Sequence, residues 1–358
     1  MSAEVTDHQI LRVAGTSTQP WTVHGELCRP SRGPAPATVL LALHGATYTH
    51  RYWNPGYRPE QYSFARAMVA AGYATFAVDR LGYGRSSHPT SALVSLDSGV
   101  RVAHELIAAL RSASVAGGAF ARVVLVGHSY GTAIAWRESA LYNDADAMIG
   151  TGWASTIQTE PAARFVGGLY PATVDPAFAD RSLDPGYLTS RPGERDRVLY
   201  DRRNVDPAMV AYDEAELRDT ISAAEGSVFK YVGALPIGPV PPAGTTVEVP
   251  NDGQTRAVRI PTFLLNGAND PLACGPDRRH CSSGEELTKS EGAYFSPAAC
   301  FRAAVVPRAG HNLSLQRNAP DTFAGIRRWL DDSIGPDGSK ADGYRARCAA
   351  EPTVRAAG

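Results

Sequence analysis

The sequence predicts an α/β protein with a mostly parallel sheet, helices on both faces and one long insertion. Three observations carry that reading. Short apolar runs alternate with helix-period segments through the first third of the chain. Those runs are nearly continuous in hydrophobicity, as strands covered on both faces must be. The rhythm stops near residue 155 and resumes near residue 259.

Thr38 to Leu43 (TVLLAL) is the first buried strand, followed by a helix over Ser63 to Ala71 and a strand over Tyr73 to Asp79. Leu93 to Leu110 has helical period, with Val100, Ala103, Leu106, Ile107 and Leu110 on one side. Arg122 to Gly127 (RVVLVG) is a third strand, a helix runs from about Ser129 to Leu141, and Ala147 to Gly152 is a short fourth strand. Residues 155–258 then turn rich in Pro, Gly, Asp and Arg. This stretch shows one helical run from Pro207 to about Glu225, and Thr245 to Ile260 reads as a hairpin around an Asp252-Gly253 turn. Strands return at Thr262 to Asn266 and Ala303 to Val306, and a helix at Asp321 to Asp332. The small, polar residues after Gly335 are expected to pack loosely. The division is a core of 1–154 plus 259–335, an insertion of 155–258 and a tail of 336–358.

Composition narrows the function. The chain has 358 residues, 44% of them hydrophobic, so a packed core is expected. With 35 Lys+Arg against 36 Asp+Glu it lacks the basic excess that nucleic-acid binding requires. No run of 18 apolar residues crosses a membrane. The start MSAEVTDHQI is not a secretory signal, which favours the cytoplasm. The cysteines pull the other way: Cys274, Cys281 and Cys300 are disulfide candidates, and with Cys28 and Cys348 the odd total leaves at least one thiol unpaired. Their pairing is not readable, and secretion stays open. Cys274, His280 and Cys281 lack a second ligand pair at zinc spacing, so no metal is expected. Without a G-x-G-x-x-G turn or a P-loop, no organic cofactor is expected either.

The chemistry concentrates at Val123 to Gly131 (VVLVGHSYG), where Gly127-His128-Ser129-Tyr130-Gly131 is G-x-S-x-G between a strand and a helix. The turn is tight enough to demand small flanking residues, and it pushes Ser129 to the C-terminal edge of the sheet. A glycine-flanked serine can merely cap a helix, but strand and helix on the correct sides favour a nucleophile. A serine hydroxyl needs a base, and the base an orienting carboxylate. Asp270, in Gly267-Ala268-Asn269-Asp270-Pro271, follows one later strand, and His311, in Pro307-Arg308-Ala309-Gly310-His311, follows the next. The order is serine, acid, histidine. Oxyanion donors are expected from the amides of Tyr130, directly after the serine, and Ala46, in His44-Gly45-Ala46 after TVLLAL. His44, Tyr48, Trp53, His128 and Trp153 are pocket candidates, although buried packing explains such residues equally well. Arg191, Arg195, Arg197, Arg202 and Arg203, interleaved with Glu194, Asp196 and Asp201, read as a solvated mixed-charge surface.

These motifs, with the D-x-x-G-x-G-x-S loop beginning at Asp79, resemble the serine esterase and lipase-like branch of the α/β-hydrolase superfamily over residues ~35–335 except the insertion. The resemblance implies an α/β-hydrolase sheet, an insertion that caps the site, and a cofactor-independent serine hydrolase cleaving a small-molecule carboxylic ester, lactone or thioester. Serine in the elbow argues against the dehalogenase and epoxide hydrolase branches, and the short loop after His44-Gly45 lacks the HGGG run of one esterase branch. Two other readings stay open: an acyltransferase or cyclase using the same residues, and a non-catalytic binding protein. Oligomeric state is not readable. A neutral base implies that activity falls on acidification through about pH 6–7, the ordinary imidazole range.

Overall fold

The structure is a computed structural model that describes residues 3–13, 20–113, 115, 118–226, 246–248, 254–275 and 281–350. Its centre is an eight-stranded sheet. The strands are β1 (Ala3–Val13), β2 (Trp21–Pro30), β3 (Thr38–Leu43), β4 (Ala74–Val78), β5 (Arg122–His128) and β6 (Ala147–Thr151), then two strands beyond the insertion. Within the insertion lie β7 (Thr156–Gln158), β8 (Leu169–Pro171), β9 (Tyr187–Ser190), β10 (Thr220–Ser222) and β11 (Thr246–Glu248); β12 (Thr262–Gly267) and β13 (Arg302–Val306) complete the sheet. Its order is β1-β2-β4-β3-β5-β6-β12-β13. β4 through β13 in that order are parallel, while β1 and β2 form an antiparallel pair at one edge.

All six residues of β3 are buried, as are all of β4, β6 and β12. That is the physical meaning of their unbroken hydrophobicity, since helices cover both faces. The helices are α1 (Pro59–Tyr62), α2 (Phe64–Ala70), α3 (Leu96–Arg111), α4 (Tyr130–Leu141), α5 (Thr159–Gly167), α6 (Glu194–Leu199), α7 (Pro207–Tyr212), α8 (Ala223–Gly226), α9 (Gly284–Gly292), α10 (Ala319–Ser333) and α11 (Ala341–Ala350). Helix α3 starts on a reciprocal cap, in which Ser95 Oγ accepts from the Ser98 amide and Ser98 Oγ from the Ser95 amide. It then buries Val100, Ala103, Leu106, Ile107 and Leu110. From β3 the chain crosses to β4 on one side and returns to β5 on the other. A crevice therefore opens where the loops after β3 and β5 diverge, the usual place for a ligand in such sheets.

Three expectations are corrected and one pair of strands is added. The helix from Pro207 stops at Tyr212; one π turn, Asp213–Leu217, follows, then β10 and the short α8. The Thr245 to Ile260 hairpin does not form: β11 pairs antiparallel with β7, and Gln254–Ala257 is a 3-10 turn. Its Asp252-Gly253 turn lies outside the described residues. The described part of the tail, residues 336–350, is not loose, because α11 docks there with Tyr344 on Trp329 and Cys348 bonded to Cys300. Finally, β1 and β2 add a pair of strands that the sequence reading did not foresee.

Candidate active site

The loops after β3, β5, β6, β12 and β13 all converge on one end of the sheet. Ser129 sits between β5 and α4 at φ 52°, ψ −119°, a conformation rare for any residue with a side chain. Such a conformation costs about 1–3 kcal/mol and survives only where the surroundings impose it. Here they do. A Cβ on Gly131 would lie 2.1 Å from the Leu43 carbonyl oxygen, and one on Gly127 would lie 2.5 Å from the Thr132 backbone. β3, β5 and α4 are thus dovetailed with no side chain between them, and Ser129 stands partly exposed between buried His128 and Tyr130. The Ser129 N–H donates to the Thr151 carbonyl at 2.8 Å, and the Thr132 hydroxyl donates to the same oxygen at 3.1 Å.

His311 Nδ1 lies 3.0 Å from Asp270 Oδ2. The other carboxylate oxygen of this fully buried aspartate accepts the amides of Leu272 at 2.8 Å and Ala273 at 3.2 Å. With Nδ1–H given to the carboxylate, a neutral His311 keeps Nε2 free to accept a proton. Ser129 and His311 line the same cavity. Gly45 and Ala46 form its wall beside the serine, and a Cβ on Gly45 would meet Ser129 Cβ at 3.1 Å. Tyr130 is the first residue of α4, so its N–H has no acceptor within the helix.

His44 fixes the loop after β3. Its Nε2 accepts the Arg80 amide at 3.0 Å, so Nδ1 carries the proton and donates to the Gly45 carbonyl at 2.8 Å. Because a peptide is planar and trans, holding that carbonyl aims the Ala46 N–H the opposite way. Burial holds the His44 imidazole well below its ordinary range, and the same cause acts on His128. Asp79 anchors the neighbouring loop, with imidazole Nδ1 atoms of His24 and His50 at 3.1 and 2.7 Å and the Arg85 amide at 2.9 Å. Burial opposes its ionisation, but these hydrogen bonds prevail and hold it well below the usual carboxylate range.

The cavity, about 490 Å³ including its mouth, has a mainly apolar wall formed by Trp153, Ile157, Phe165, Leu199 and Leu272. Tyr48, His128 and Trp153 line it as expected, but His44 and Trp53 do not. His44 is spent on the loop beneath, and Trp53 is core, its ring against Tyr52 and Phe64. Asn266 clips Trp153 in place by accepting its amide at 3.2 Å and donating to its carbonyl at 2.8 Å.

One network escaped the sequence reading. Arg195 on α6 is fully buried rather than part of a solvated surface; Arg191, Arg197, Arg202 and Arg203 are exposed. It pairs with Asp213 at 2.8 Å, donates to the Thr47 hydroxyl at 2.7 Å and carbonyl at 3.2 Å, and lies 4.1 Å from the Tyr48 ring centroid. Thr47, one residue past Ala46, sits at φ 59° in the left-handed region. Asp213 also accepts the hydroxyls of Tyr48 at 3.0 Å and Tyr200 at 2.6 Å. From Tyr48 the chain of bonds continues to Asn312, next to His311, and on to His128, next to Ser129. The available signal was spacing: Arg195, Val198 and Leu199 share one helix face, and two of the three are apolar.

The described residues hold two disulfides. Cys274–Cys281 staples the segment after Asp270, and Cys300–Cys348 ties α11 to the loop before β13. Cys28 is a buried free thiol.

A parallel sheet whose switch-point edge gathers a serine in a strained strand-to-helix turn, a histidine and a buried carboxylate defines an α/β protein of the hydrolase type. The chain belongs to the alpha/beta hydrolase family, whose family model matches residues 39–326. No curated protein matches the chain. Solved structures share the fold: an esterase from Thermogutta terrifontis is 18% identical at a TM-score of 0.55, covering 90% of this chain and 98% of that one. A Paleococcus ferrophilus monoacylglycerol lipase (16%, 0.53, 90% and 98%) and a Bacillus anthracis bromoperoxidase (18%, 0.55, 88% and 97%) share it as well. Among the described residues no helix is long and apolar enough to cross a membrane.

Proposed function

We propose that the protein is a serine hydrolase of neutral carboxylic esters, lactones or thioesters. The observation that carries this reading is Ser129, held in a strained turn on the wall of an apolar cavity that it shares with His311, itself 3.0 Å from the buried Asp270 carboxylate. In this mechanism Ser129 Oγ attacks the carbonyl carbon while His311 Nε2 takes its proton. The tetrahedral oxyanion is met by the amides of Ala46 and Tyr130. His311 then protonates the leaving oxygen or sulfur, and water, activated by the same imidazole, releases the acid from the acyl-enzyme. The segment 155–258 acts as a cap, since Ile157, Phe165 and Leu199 supply pocket wall. The apolar lining favours an uncharged acyl group, because a charge buried there finds no partner.

The two disulfides support an oxidising compartment over the cytoplasm. The test is a panel of p-nitrophenyl esters of rising acyl length, run on the wild type and Ser129→Ala. Each methylene buried is worth about 0.8 kcal/mol, so kcat/KM should rise roughly fourfold per carbon until the cavity fills. Equal activity in both proteins would sink the proposal. Adding a primary alcohol to the assay shows whether acyl transfer competes with hydrolysis.

A further inference from the structure

A second cluster lies away from the cavity. His104 is on α3, Glu138 is in the last turn of α4, and Asp144 is in the turn that leads to β6. Glu138 is eight residues along α4 from Tyr130, about 12 Å at the helical rise. It is fully buried, and no donor reaches either carboxylate oxygen among the described residues; its polar neighbour is the Asp144 carboxylate, which can bond to it only through a shared proton. Asp144 Oδ1 is without one too. His104 Nδ1 lies 2.7 Å from Asp144 Oδ2 and 4.0 Å from Glu138 Oε1, and one donor atom from each residue falls within 4.8 Å of the others. The imidazole is held by stacking on Tyr142 at 3.9 Å between centroids.

The nearby guanidinium groups are occupied elsewhere. Arg111 donates to the Asp144 carbonyl at 2.8 Å and the Asp146 carboxylate at 2.6 Å, and Arg137, adjacent to Glu138, pairs with Asp97 at 2.8 Å. Among the described residues no guanidinium or ammonium group therefore bridges the two carboxylates, and the imidazole of His104 is the one nitrogen group paired with them. A buried carboxylate in that setting demands a proton or a metal.

We propose that His104, Glu138 and Asp144 bind one divalent ion of the zinc and manganese class. The His104 nitrogen lies 2.7 and 4.0 Å from the two carboxylates and all three donor atoms lie within 4.8 Å of one another, so small side-chain shifts bring them onto one ion with bonds of about 2.0–2.2 Å. Two oxygens and one imidazole nitrogen suit a borderline cation better than calcium, which takes six to eight oxygens. His104 and Asp144 are about one-third exposed, which leaves water room to complete the coordination. The ion ties the end of α4, the helix that begins at Ser129, to α3 and to the start of β6. Its role is structural.

The test uses the full chain, stripped with a chelator, dialysed and titrated calorimetrically with ZnCl2 and, separately, MnCl2. The expected result is one equivalent bound per chain with a rise in Tm, and at least tenfold weaker binding in Glu138→Gln and in Asp144→Asn. Glu138→Gln keeps the shape of a protonated glutamate, and its fold is checked by circular dichroism; Asp144→Asn, on the surface, is the second variant. If a shared proton is the true occupant, the wild type binds neither metal at this site. That result, or equal binding by both variants and wild type, overturns the assignment.

Discussion

Replacing Arg195 with methionine probes the buried network under the loop proposed to carry the oxyanion donor Ala46. The substitution keeps an apolar stem beside Tyr48 but strands the Asp213 carboxylate, whose side chain is fully buried. Breaking a buried ion pair from one side costs about 3–5 kcal/mol. The hydroxyls of Tyr48 and Tyr200 still donate to Asp213, which places the loss near the lower end of that range. Thr47 loses its bonds to the guanidinium but keeps the Asp219 amide on its carbonyl at 2.9 Å. The loop that carries Ala46 then loosens, and because each oxyanion donor is worth about 10²–10³ in rate, a partial loss of aim predicts roughly a 10–100-fold fall in kcat. Urea unfolding and steady-state kinetics on the same ester substrate read the two effects. The double variant with Asp213→Asn removes the stranded charge and should recover more than half of the lost stability. A stability loss under about 1 kcal/mol together with an unchanged kcat would refute the reasoning.

Three further outcomes are expected. His128 stays neutral in the folded state, held well below its ordinary range by burial, while the unfolded chain takes up a proton near the usual imidazole value. Its share of stability is present above about pH 6.5 and is lost as pH falls. Between about pH 6.5 and 5.5 the unfolded imidazole goes from half to nearly fully protonated, so urea titrations over that window should show a stability loss smaller by about 1 kcal/mol in His128→Gln. Removing Cys348 opens a bridge of sequence separation 48, which the chain-entropy relation values at about 4 kcal/mol; a chemical denaturation midpoint unmoved by Cys348→Ala would show that α11 holds on packing alone. Burial, with Glu26 alongside, pushes the Cys28 thiol up to about 12, so a thiol-exchange reagent should titrate no cysteine in the native protein and one in urea.

The parts of the molecule that the sequence disclosed are those where one requirement dominates. The middles of β3 and β5, Val39–Leu43 and Val123–Val126, are buried on both faces, and every residue there is apolar. The glycines of the elbow are read as small because backbone occupies the space a Cβ would take. Arg195 was misread because its neighbours Glu194 and Arg197 are surface charges, and charge counting cannot tell which way one member of a helix points. The pair β1 and β2 went unseen because β2 (WTVHGELCRP) mixes polar and apolar positions, and Gly25 breaks its pattern where a Cβ would strike the Phe76 ring at 2.5 Å. The tail helix has no apolar stripe to announce it; a tyrosine, a disulfide and the guanidinium groups of Arg345 and Arg347 hold it.

The buried pair of Arg195 and Asp213 also limits how this chain can diversify. Pocket walls drawn from the inserted segment look like an exchangeable part, free to be rebuilt for another substrate while the sheet edge is left alone. Yet the left-handed Thr47 is secured by a guanidinium that belongs to that same segment. A grafted insertion from a relative would have to supply its own cation and carboxylate at this spot, or leave Thr47 without its partner. Specificity and turnover are thus inherited together, and a chimaera that changes one without supplying that anchor should lose both.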